Sequence, residues 1–333
     1  MNQTKQLIDP LRQMQLCGLR SLRARTVSVK PRISGRCLPS TNFSWVFLER
    51  QQPAEVGALN AVTQNYGPMV NKIPDKLEPL ILAIETATRA GSVALARGKE
   101  ILRSTSGDAS ASHSNDLIAS IERILENAGA KLSDVDLFGV AVGPGSFTGL
   151  RIGLATTKSF AVCTGKRCAG VSTLAAIAHA AGNSRQTVSL LPAGRGELFA
   201  QLFSVEGEDV QDLDSAAHRT ARAILERYGE ARELVWAGDG ARLQVEALRD
   251  WASTKGIAFA ELKPGLSGKA QPGWSLASPP DQLAVSIAAL ALNTYNNGNT
   301  LSPDELMAVY VRASDAEINE QWQREKLRQP APV

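Results

Sequence analysis

The segment from Ala141 to Gly153 carries the residues of this chain that are best suited to bind an anion. It reads AVGPGSFTGLRIG, and the apolar residues before it predict a buried strand that leads into the start of a helix. Backbone N–H groups in such a loop, together with the positive end of the helix dipole, can bind a phosphate group or another anion. The same glycines also permit a tight connection with no ligand, so the residues leave both interpretations open.

This glycine-rich loop matches neither of two common phosphate-binding motifs. The patterns GxxxxGK[ST] and GxGxxG are both absent from it. Anion binding therefore remains a hypothesis for the loop, which consists of Gly143, Pro144, Gly145, Ser146, Phe147, Thr148 and Gly149.

The histidines lack the spacing of a metal site or of a catalytic triad. His113, His179 and His218 are far apart in the sequence, whereas paired metal-binding histidines on a helix stand four residues apart. No Ser–His–Asp arrangement can be argued from three scattered histidines. We therefore predict no catalytic residue and no metal ligand, and we interpret His179 as a helix-surface or core residue.

The elements around these residues indicate an α/β protein of two related lobes. Leu80 to Ile84 and Leu137 to Val142 are apolar runs typical of buried strands, and the first of them opens an antiparallel meander of three strands. Helices are predicted at Leu150 to Thr164 and at Gln282 to Tyr295. Because strands lead into helices in both halves, both halves are expected to form sheets covered by helices.

Residues 1–77 differ in composition from the rest of the chain. The first 68 residues hold nine Lys or Arg and three acidic residues, so the remainder carries a net charge of −3. No periodic apolar stripe is present here, and we predict a basic, disordered N-terminal extension. An Arg-rich, acid-poor start also resembles a transit peptide, and Met69 leaves open a wrongly chosen start site. The charge of the folded part does not indicate a nucleic-acid surface.

The overall composition is that of a globular protein from a reducing compartment. The chain has 333 residues, 44% hydrophobic and 21% charged, which excludes a mainly disordered or fibrous protein. The best candidate for a membrane helix, Leu283 to Leu292, falls short of the ~18 apolar residues required. Four cysteines in so long a chain do not form a disulfide framework. We expect a cytoplasmic protein without membrane contacts.

Several stretches of the chain resemble the TsaB family. The resemblance covers residues 79–320 and is more specific in the first half; it rests on the segments LILAIETAT (80–88), GSVA (91–94), GPGSFTGLRIG (143–153), GVSTL (170–174), GELF (196–199) and VYVR (309–312). It implies a two-lobed actin-like and Hsp70-like ATPase (ASKHA) fold. The first lobe would span residues 78–183, and a second, more divergent lobe with a C-terminal segment would span residues 184–333.

The resemblance implies a non-catalytic scaffold subunit of the complex that installs threonylcarbamoyl on the adenosine next to the anticodon of tRNAs. The chain would pair with and activate a TsaD-like catalytic subunit, and this pair would bind a TsaE-like ATPase. It would form a homodimer when alone and contact tRNA only through the complex. The TsaD-like catalytic subunit carries a pair of metal-binding histidines with the spacing H-x-x-x-H. The corresponding positions here are Thr173 and Ile177, which do not form a ligand pair. The alternative is a stand-alone actin-fold ATPase or metallohydrolase.

The nucleotide loops implied by the resemblance also depart from the family pattern. Glu85 stands where Asp is more usual, and Pro192 stands where the family often has Asp. Gly238, Asp239 and Gly240 form a turn near the expected nucleotide position, although a simple turn with Asp239 capping the next helix explains them as well. We expect no tightly bound cofactor and at most a weak or interface-dependent nucleotide.

Two helices of the first lobe form the pairing surface in the family, and they correspond here to residues 113–128 and 150–164. The second is apolar on more than one side, so it is either buried or sandwiched between its sheet and a partner. An internal helix layer without a partner is the alternative. Gly153 and Ala155 would allow a partner helix to approach closely; the full set of predicted contact residues is Leu117, Ile121, Leu150, Arg151, Gly153, Leu154 and Ala155.

Overall fold

A computed structural model of the chain describes residues 78–107, 113–262 and 272–311, with side chains from residue 116 in the second of these ranges. The extension predicted at residues 1–77 lies outside the described residues, as does Arg312 at the end of the last resembling segment. The described residues form two β-sheets with helices between and around them.

The first sheet has five strands in the order β3-β2-β1-β4-β5. The strands are β1 (Leu80–Glu85), β2 (Ser92–Arg97), β3 (Glu100–Ser106), β4 (Leu137–Gly143) and β5 (Arg167–Ser172). The first three form the predicted antiparallel meander, while β1, β4 and β5 are parallel.

The second sheet repeats this topology in the order β8-β7-β6-β10-β12-β11. Its strands are β6 (Ser184–Gly194), β7 (Glu197–Glu206), β8 (Asp209–Asp212), β9 (Ala217–Thr220), β10 (Leu234–Ala237), β11 (Phe259–Glu261) and β12 (Trp274–Leu276). Here β6, β7 and β8 are antiparallel and β6, β10 and β12 are parallel, while β9 pairs with β7. The repeated pattern confirms the predicted α/β fold of two related lobes.

The helices cover both faces of these sheets. They are α1 (His113–Asn127), α2 (Phe147–Thr164), α3 (Thr173–Ala181), α4 (Ala221–Tyr228), α5 (Asp239–Leu243), α6 (Val245–Thr254) and α7 (Leu283–Asn296). Helices α5 and α6 follow one another and are separated at Gln244. In the described part of the chain no helix combines the length and the apolar character needed to cross a membrane.

Strand β1 shows why its sequence is a continuous apolar run. Leu82 and Ile84 face one side of the sheet and pack in a cluster with side chains of α1 and α2. Ile81 and Ala83 face the other side and pack in a cluster with α7. A strand that is buried on both faces needs apolar residues at every position.

The last helix of each lobe packs against the sheet of the other lobe. Helix α3 follows β5 directly but packs mainly against β6, β7 and α7, and α7 also packs against β1, β2 and β4. The division predicted at residue 184 therefore separates the two sheets but not the helices. The difference arises because α7 supplies the apolar face that covers the inner side of the first sheet.

The chain after α7 also returns to the first sheet. The N–H and carbonyl groups of Leu301 pair with those of Cys168 on β5, at 2.7 and 2.8 Å, which covers the free edge of that sheet. Leu306 is fully buried, and the Val309 N–H donates to the Val142 carbonyl at 2.7 Å. This C-terminal strap, residues 300–311, ends beside the glycine-rich loop.

Candidate functional site

The glycine-rich loop packs against the β1–β2 loop of its own lobe. The Ser146 N–H donates to the Ala87 carbonyl at 2.8 Å, and the Thr86 hydroxyl donates to the Gly149 carbonyl at 2.8 Å. A Cβ atom on Gly145 would lie 2.6 Å from the Ala87 carbonyl oxygen, and one on Gly149 would overlap the Thr86 carbonyl oxygen. These close approaches explain both glycines without a ligand.

The loop also organises the start of α2. Ser146 is the N-cap residue, and its hydroxyl accepts the Gly149 N–H at 3.2 Å. Gly143 has a φ of +116° and lies against the Val309 carbonyl. Pro144 is buried, and Thr148 is exposed. Anion binding at this helix start stays a prediction, because the loop geometry is already accounted for by contacts within the chain.

An exposed aromatic rim borders the loop, and the sequence did not point to it. The Phe147 ring contacts the Tyr310 ring at a centroid distance of 5.2 Å, and the Arg151 guanidinium lies 3.9 Å from the Phe147 ring centroid. Met307 and Val309 are exposed beside them. The only sequence signal was the Val309–Tyr310 stretch, which the family resemblance included.

Five of the seven predicted contact residues are buried inside the first lobe: Leu117, Ile121, Leu150, Gly153 and Leu154. They pack under α1 and α2 against the first sheet and the β1–β2 loop. A Cβ atom on Gly153 would overlap the Thr86 hydroxyl, so this glycine allows close approach of the β1–β2 loop, not of a partner helix. Arg151 and Ala155 are exposed, so these two residues remain predicted contacts with a partner.

The exposed side of α2 contains further apolar surface. Along the helix it presents Arg151, Ala155, Ser159, Val162 and Cys163. Val162 is 67% exposed, and Ile118 on α1 is 40% exposed. Exposed apolar side chains at these positions are compatible with a protein interface.

The residues at the expected nucleotide loops are engaged with their own chain. Glu85 is buried, and its carboxylate accepts the Thr88 N–H at 2.6 Å and the Thr88 hydroxyl at 2.7 Å. Pro192 is exposed near the end of β6. The first-lobe carboxylate thus shapes the β1–β2 loop.

The turn before α5 is also a packing feature. A Cβ atom on Gly240 would lie 2.7 Å from the Leu190 carbonyl carbon, and one on Gly238 would overlap the Leu190 carbonyl oxygen. The cap considered for Asp239 does not form: α5 begins at Asp239, with Gly238 at the N-cap and no side-chain cap bond. The positive φ of Gly238, +89°, explains this choice of residue.

The chain is similar to known proteins in both sequence and fold. A family model described as TsaD, tRNA N6-adenosine threonylcarbamoyltransferase, matches residues 103–292, more than half of the chain. The chain belongs to this family.

The named relatives are TsaB proteins. The tRNA threonylcarbamoyladenosine biosynthesis protein TsaB of Escherichia coli K12 is 32% identical over 122 residues, covering 36% of this chain and 52% of that protein. The TsaB protein of Haemophilus influenzae is 34% identical over 125 residues, with 37% and 52% covered. The chain therefore spans about half the length of these curated relatives. For TsaB of Bacillus subtilis the identity is 25% over 179 residues, covering 53% and 78%.

Solved structures of Pseudomonas aeruginosa proteins share the fold. YeaZ is 22% identical, with a TM-score of 0.55 over 70% of this chain and 99% of that one. A protein described as similar to the peptidase YeaZ is 23% identical, with a TM-score of 0.57 over 70% and 100%. The named relatives confirm the TsaB resemblance, and the two-lobed α/β fold predicted from the sequence is shared with YeaZ.

Core residues occupy the two positions that the TsaB resemblance matches to the histidine pair of the catalytic relative. Thr173 and Ile177 lie on α3 and are buried, Ile177 with 4% exposure. A Cβ atom on Gly238 would lie 3.0 Å from the Ile177 side chain. Among the described residues, no group of three or more His, Cys, Asp or Glu side chains is placed to hold a metal ion. These residues do not fit a metal.

Installing the histidine pair is expected not to create a metal site. In Thr173→His with Ile177→His, the second imidazole would replace a packed apolar side chain, and two histidines alone fall short of the three or four protein ligands of a zinc site. We expect less than one tenth of an equivalent of zinc or iron after dialysis and a lower free energy of unfolding. Metal analysis and urea unfolding measure both; a stoichiometric metal that raises stability would contradict the expectation.

His179 is a half-buried residue that joins α3 to α7. Its Nδ1 lies 3.1 Å from the Ser286 hydroxyl, and burial lowers its pKa from the ordinary value of 6.5, partly offset by the charge of Glu208. His218 instead pairs with Glu197 at 3.0 Å in the second lobe. Neither histidine lies beside the glycine-rich loop.

The lowered pKa of His179 predicts a loss of stability in mild acid. Protonation at this site favours the unfolded chain, so the free energy of unfolding should fall as the pH drops below about 6.5, the unfolded value. His179→Gln should remove that part of the pH dependence. Urea unfolding at pH 7.5 and pH 5.5 measures it, with His218→Gln as the matched control; an unchanged pH dependence in His179→Gln would contradict the prediction.

Proposed function

We propose that this chain is a non-catalytic scaffold subunit in the biosynthesis of threonylcarbamoyladenosine in tRNA. The named relatives, which are threonylcarbamoyladenosine biosynthesis proteins TsaB, support a role in this process. The observation that carries the non-catalytic role is the buried Thr173 and Ile177 at the positions of the TsaD metal pair. Core residues at these two positions leave no histidine pair there to hold a metal ion that would polarise or position a substrate.

The proposed partner is a TsaD-like catalytic subunit that docks on the exposed side of α2. Ala155 is small and Val162 is a large exposed apolar residue on that side, so a partner helix laid along α2 could approach closely and bury apolar area. Ile118 of α1 would extend the contact. Docking there would hold the catalytic subunit in its active form.

The remaining partners follow from the same scaffold role. A TsaE-like ATPase would join the pair, a second copy of this chain would occupy the same α2 surface in the absence of the catalytic subunit, and tRNA would be reached only through the complex. The protein would work in the cytoplasm.

Reconstitution tests the proposal. Threonylcarbamoyl transfer to tRNA is measured with the TsaD-like subunit and the TsaE-like ATPase of the same organism, with and without this chain. We expect modification only when the chain is present, and none from the chain alone. Modification at the same rate without the chain, or turnover by the isolated chain, would contradict the proposal.

A further inference from the structure

The two lobes are connected by α3 and α7, each of which packs against the sheet of the other lobe. Ser172 ends β5 and is also the N-cap of α3, its hydroxyl accepting the Ala175 N–H at 3.3 Å. Helix α3 then leaves the first sheet with no linker and ends two residues before β6 begins. A hinge at this point would have to break the cap or pull the helix from the second sheet.

The contact of α7 with the first sheet is too close to allow sliding. Ala284, Ile287 and Ala291 of α7 are fully buried. A Cβ atom on Gly139 of β4 would lie 3.0 Å from the Ala291 Cβ and 3.4 Å from the Ile287 side chain. Small residues on both surfaces bring the helix and the sheet into interlocking contact, and interlocked packing tolerates only discrete arrangements.

A serine latch fixes the start of α7 to β2 and β3. The buried Ser92 hydroxyl accepts the Ala284 N–H at 3.0 Å, which caps the helix with a residue from the other lobe. The Ser106 hydroxyl donates to the Asp281 carbonyl at 2.9 Å, and the Ser104 hydroxyl donates to the Gln282 side-chain oxygen. All three bonds join the chain that leads out of the second lobe to the meander of the first.

Further polar contacts tie the opposite side of the lobes together. The Asn293 amide of α7 donates to the Glu208 carbonyl at 3.1 Å, and Lys99 in the β2–β3 turn forms an ion pair with Glu208 at 3.1 Å. The contact between His179 and Ser286 joins α3 to α7 between these two sites. Polar bonds thus stand at both ends of the exchanged helices.

We propose that the exchanged helices and the serine latch lock the two lobes at one fixed angle, so that the described part of the chain moves as a single rigid body. Opening between the lobes would begin with release of the serine latch, because α7 can move on the first sheet only after the Ser92 hydroxyl no longer holds its start. This inference is independent of the proposed function: a rigid chain could fail to bind a partner, and a hinged one could still bind it.

Distance measurements between the lobes test the lock. In the full chain with Cys17, Cys37 and Cys163 replaced by Ser, spin labels are placed at Arg123→Cys on α1 and Glu226→Cys on α4, both exposed positions on the outer sides of the two sheets. We expect one narrow distance distribution that ATP does not shift. Ser92→Ala with Ser106→Ala should broaden it at least twofold. Two distances in the parent chain, or an equally narrow distribution in the double variant, would overturn the proposal.

Hydrogen exchange provides a second readout on unlabelled protein. Amides in the first two turns of α7 should exchange at least tenfold faster in Ser92→Ala, while those of α4 keep their rate. Ser159→Ala is the matched control, because the Ser159 hydroxyl bonds only to the Ala155 carbonyl of its own helix. Unchanged α7 exchange in Ser92→Ala would count against the latch. If the double variant does not fold, the distance and exchange measurements are made on Ser106→Ala, which alters an exposed contact.

Discussion

Replacement of Gly149 by alanine is expected to destabilise the first lobe by about 3 kcal/mol or more. In an ordinary helix turn the same change would stabilise the protein by roughly 0.5–1 kcal/mol. Here the new Cβ would overlap the Thr86 carbonyl oxygen, and a backbone group cannot rotate away. Relief would require the β1–β2 loop and α2 to separate, which also breaks the bond from the Thr86 hydroxyl to the Gly149 carbonyl.

Gly153 provides a graded comparison on the same helix. Its added Cβ would meet the Thr86 hydroxyl, a side-chain group, so Gly153→Ala should cost less than Gly149→Ala. Removing the hydroxyl in Thr86→Ala should rescue Gly153→Ala but not Gly149→Ala, whose obstacle is backbone. A leucine at position 153 is too large with or without the Thr86 hydroxyl, so Gly153→Leu should unfold the lobe.

Urea unfolding of the single and double variants measures these differences. Gly165→Ala is the control for backbone strain alone: Gly165 has a φ of +67° and nothing within 4 Å of a Cβ atom, so the expected cost is only about 1 kcal/mol. Equal stabilities for Gly149→Ala and Gly165→Ala would show that the β1–β2 loop yields easily. The role of Gly153 inside the lobe would then lose its support.

Local signals were sufficient to predict the first lobe. The meander follows from short apolar runs joined by the Gly98–Lys99 turn, and the loop before α2 follows from a buried run that ends in glycines. Ser146 and Gly165 bound α2 as cap residues, which is chemistry that the sequence displays directly. Elements whose limits depend on neighbouring residues are therefore predictable.

The second lobe shows what a sequence pattern misses. Helix α4 was not predicted, although Thr220 caps it and Ile224, Leu225 and Tyr228 have helical spacing. The strands before it are short and polar, and they are held by distant bonds, such as those that Asp214 accepts from the Leu202 N–H and the Tyr228 hydroxyl. Such bonds exist only after the chain has folded, so no local pattern marks them.

The orientation of α2 was unpredictable for the same reason. The sequence showed apolar residues around most of the helix, but the side that faces its own lobe is decided by Thr86, in a loop far away in the sequence. The exchange of α3 and α7 between the sheets likewise depends on which apolar face remains uncovered after both lobes form. Contacts between distant segments decided both of these points.

Replacement of Ala155 by arginine is expected to separate partner binding from folding. Ala155 is exposed on α2, so the longer side chain can extend into water in the isolated chain, and the unfolding free energy should change by less than about 0.5 kcal/mol. In a dry interface the same charge would be buried without a partner, at a cost of several kcal/mol. Affinity for the TsaD-like subunit should therefore fall at least tenfold, since about 1.4 kcal/mol corresponds to a factor of ten.

Pull-down and sedimentation of the catalytic subunit with each variant measure the affinity, and circular dichroism measures the fold. Ser253→Arg, which adds the same charge at an exposed position of α6 in the second lobe, is the matched control and should bind normally. Unfolding of Ala155→Arg would place this side of α2 in the core. Normal binding by a folded Ala155→Arg would show that the interface does not include this side of α2. The next surface to alter would then be the aromatic rim, because it is the adjoining exposed apolar area. Its residues are Phe147, Arg151, Met307, Val309 and Tyr310.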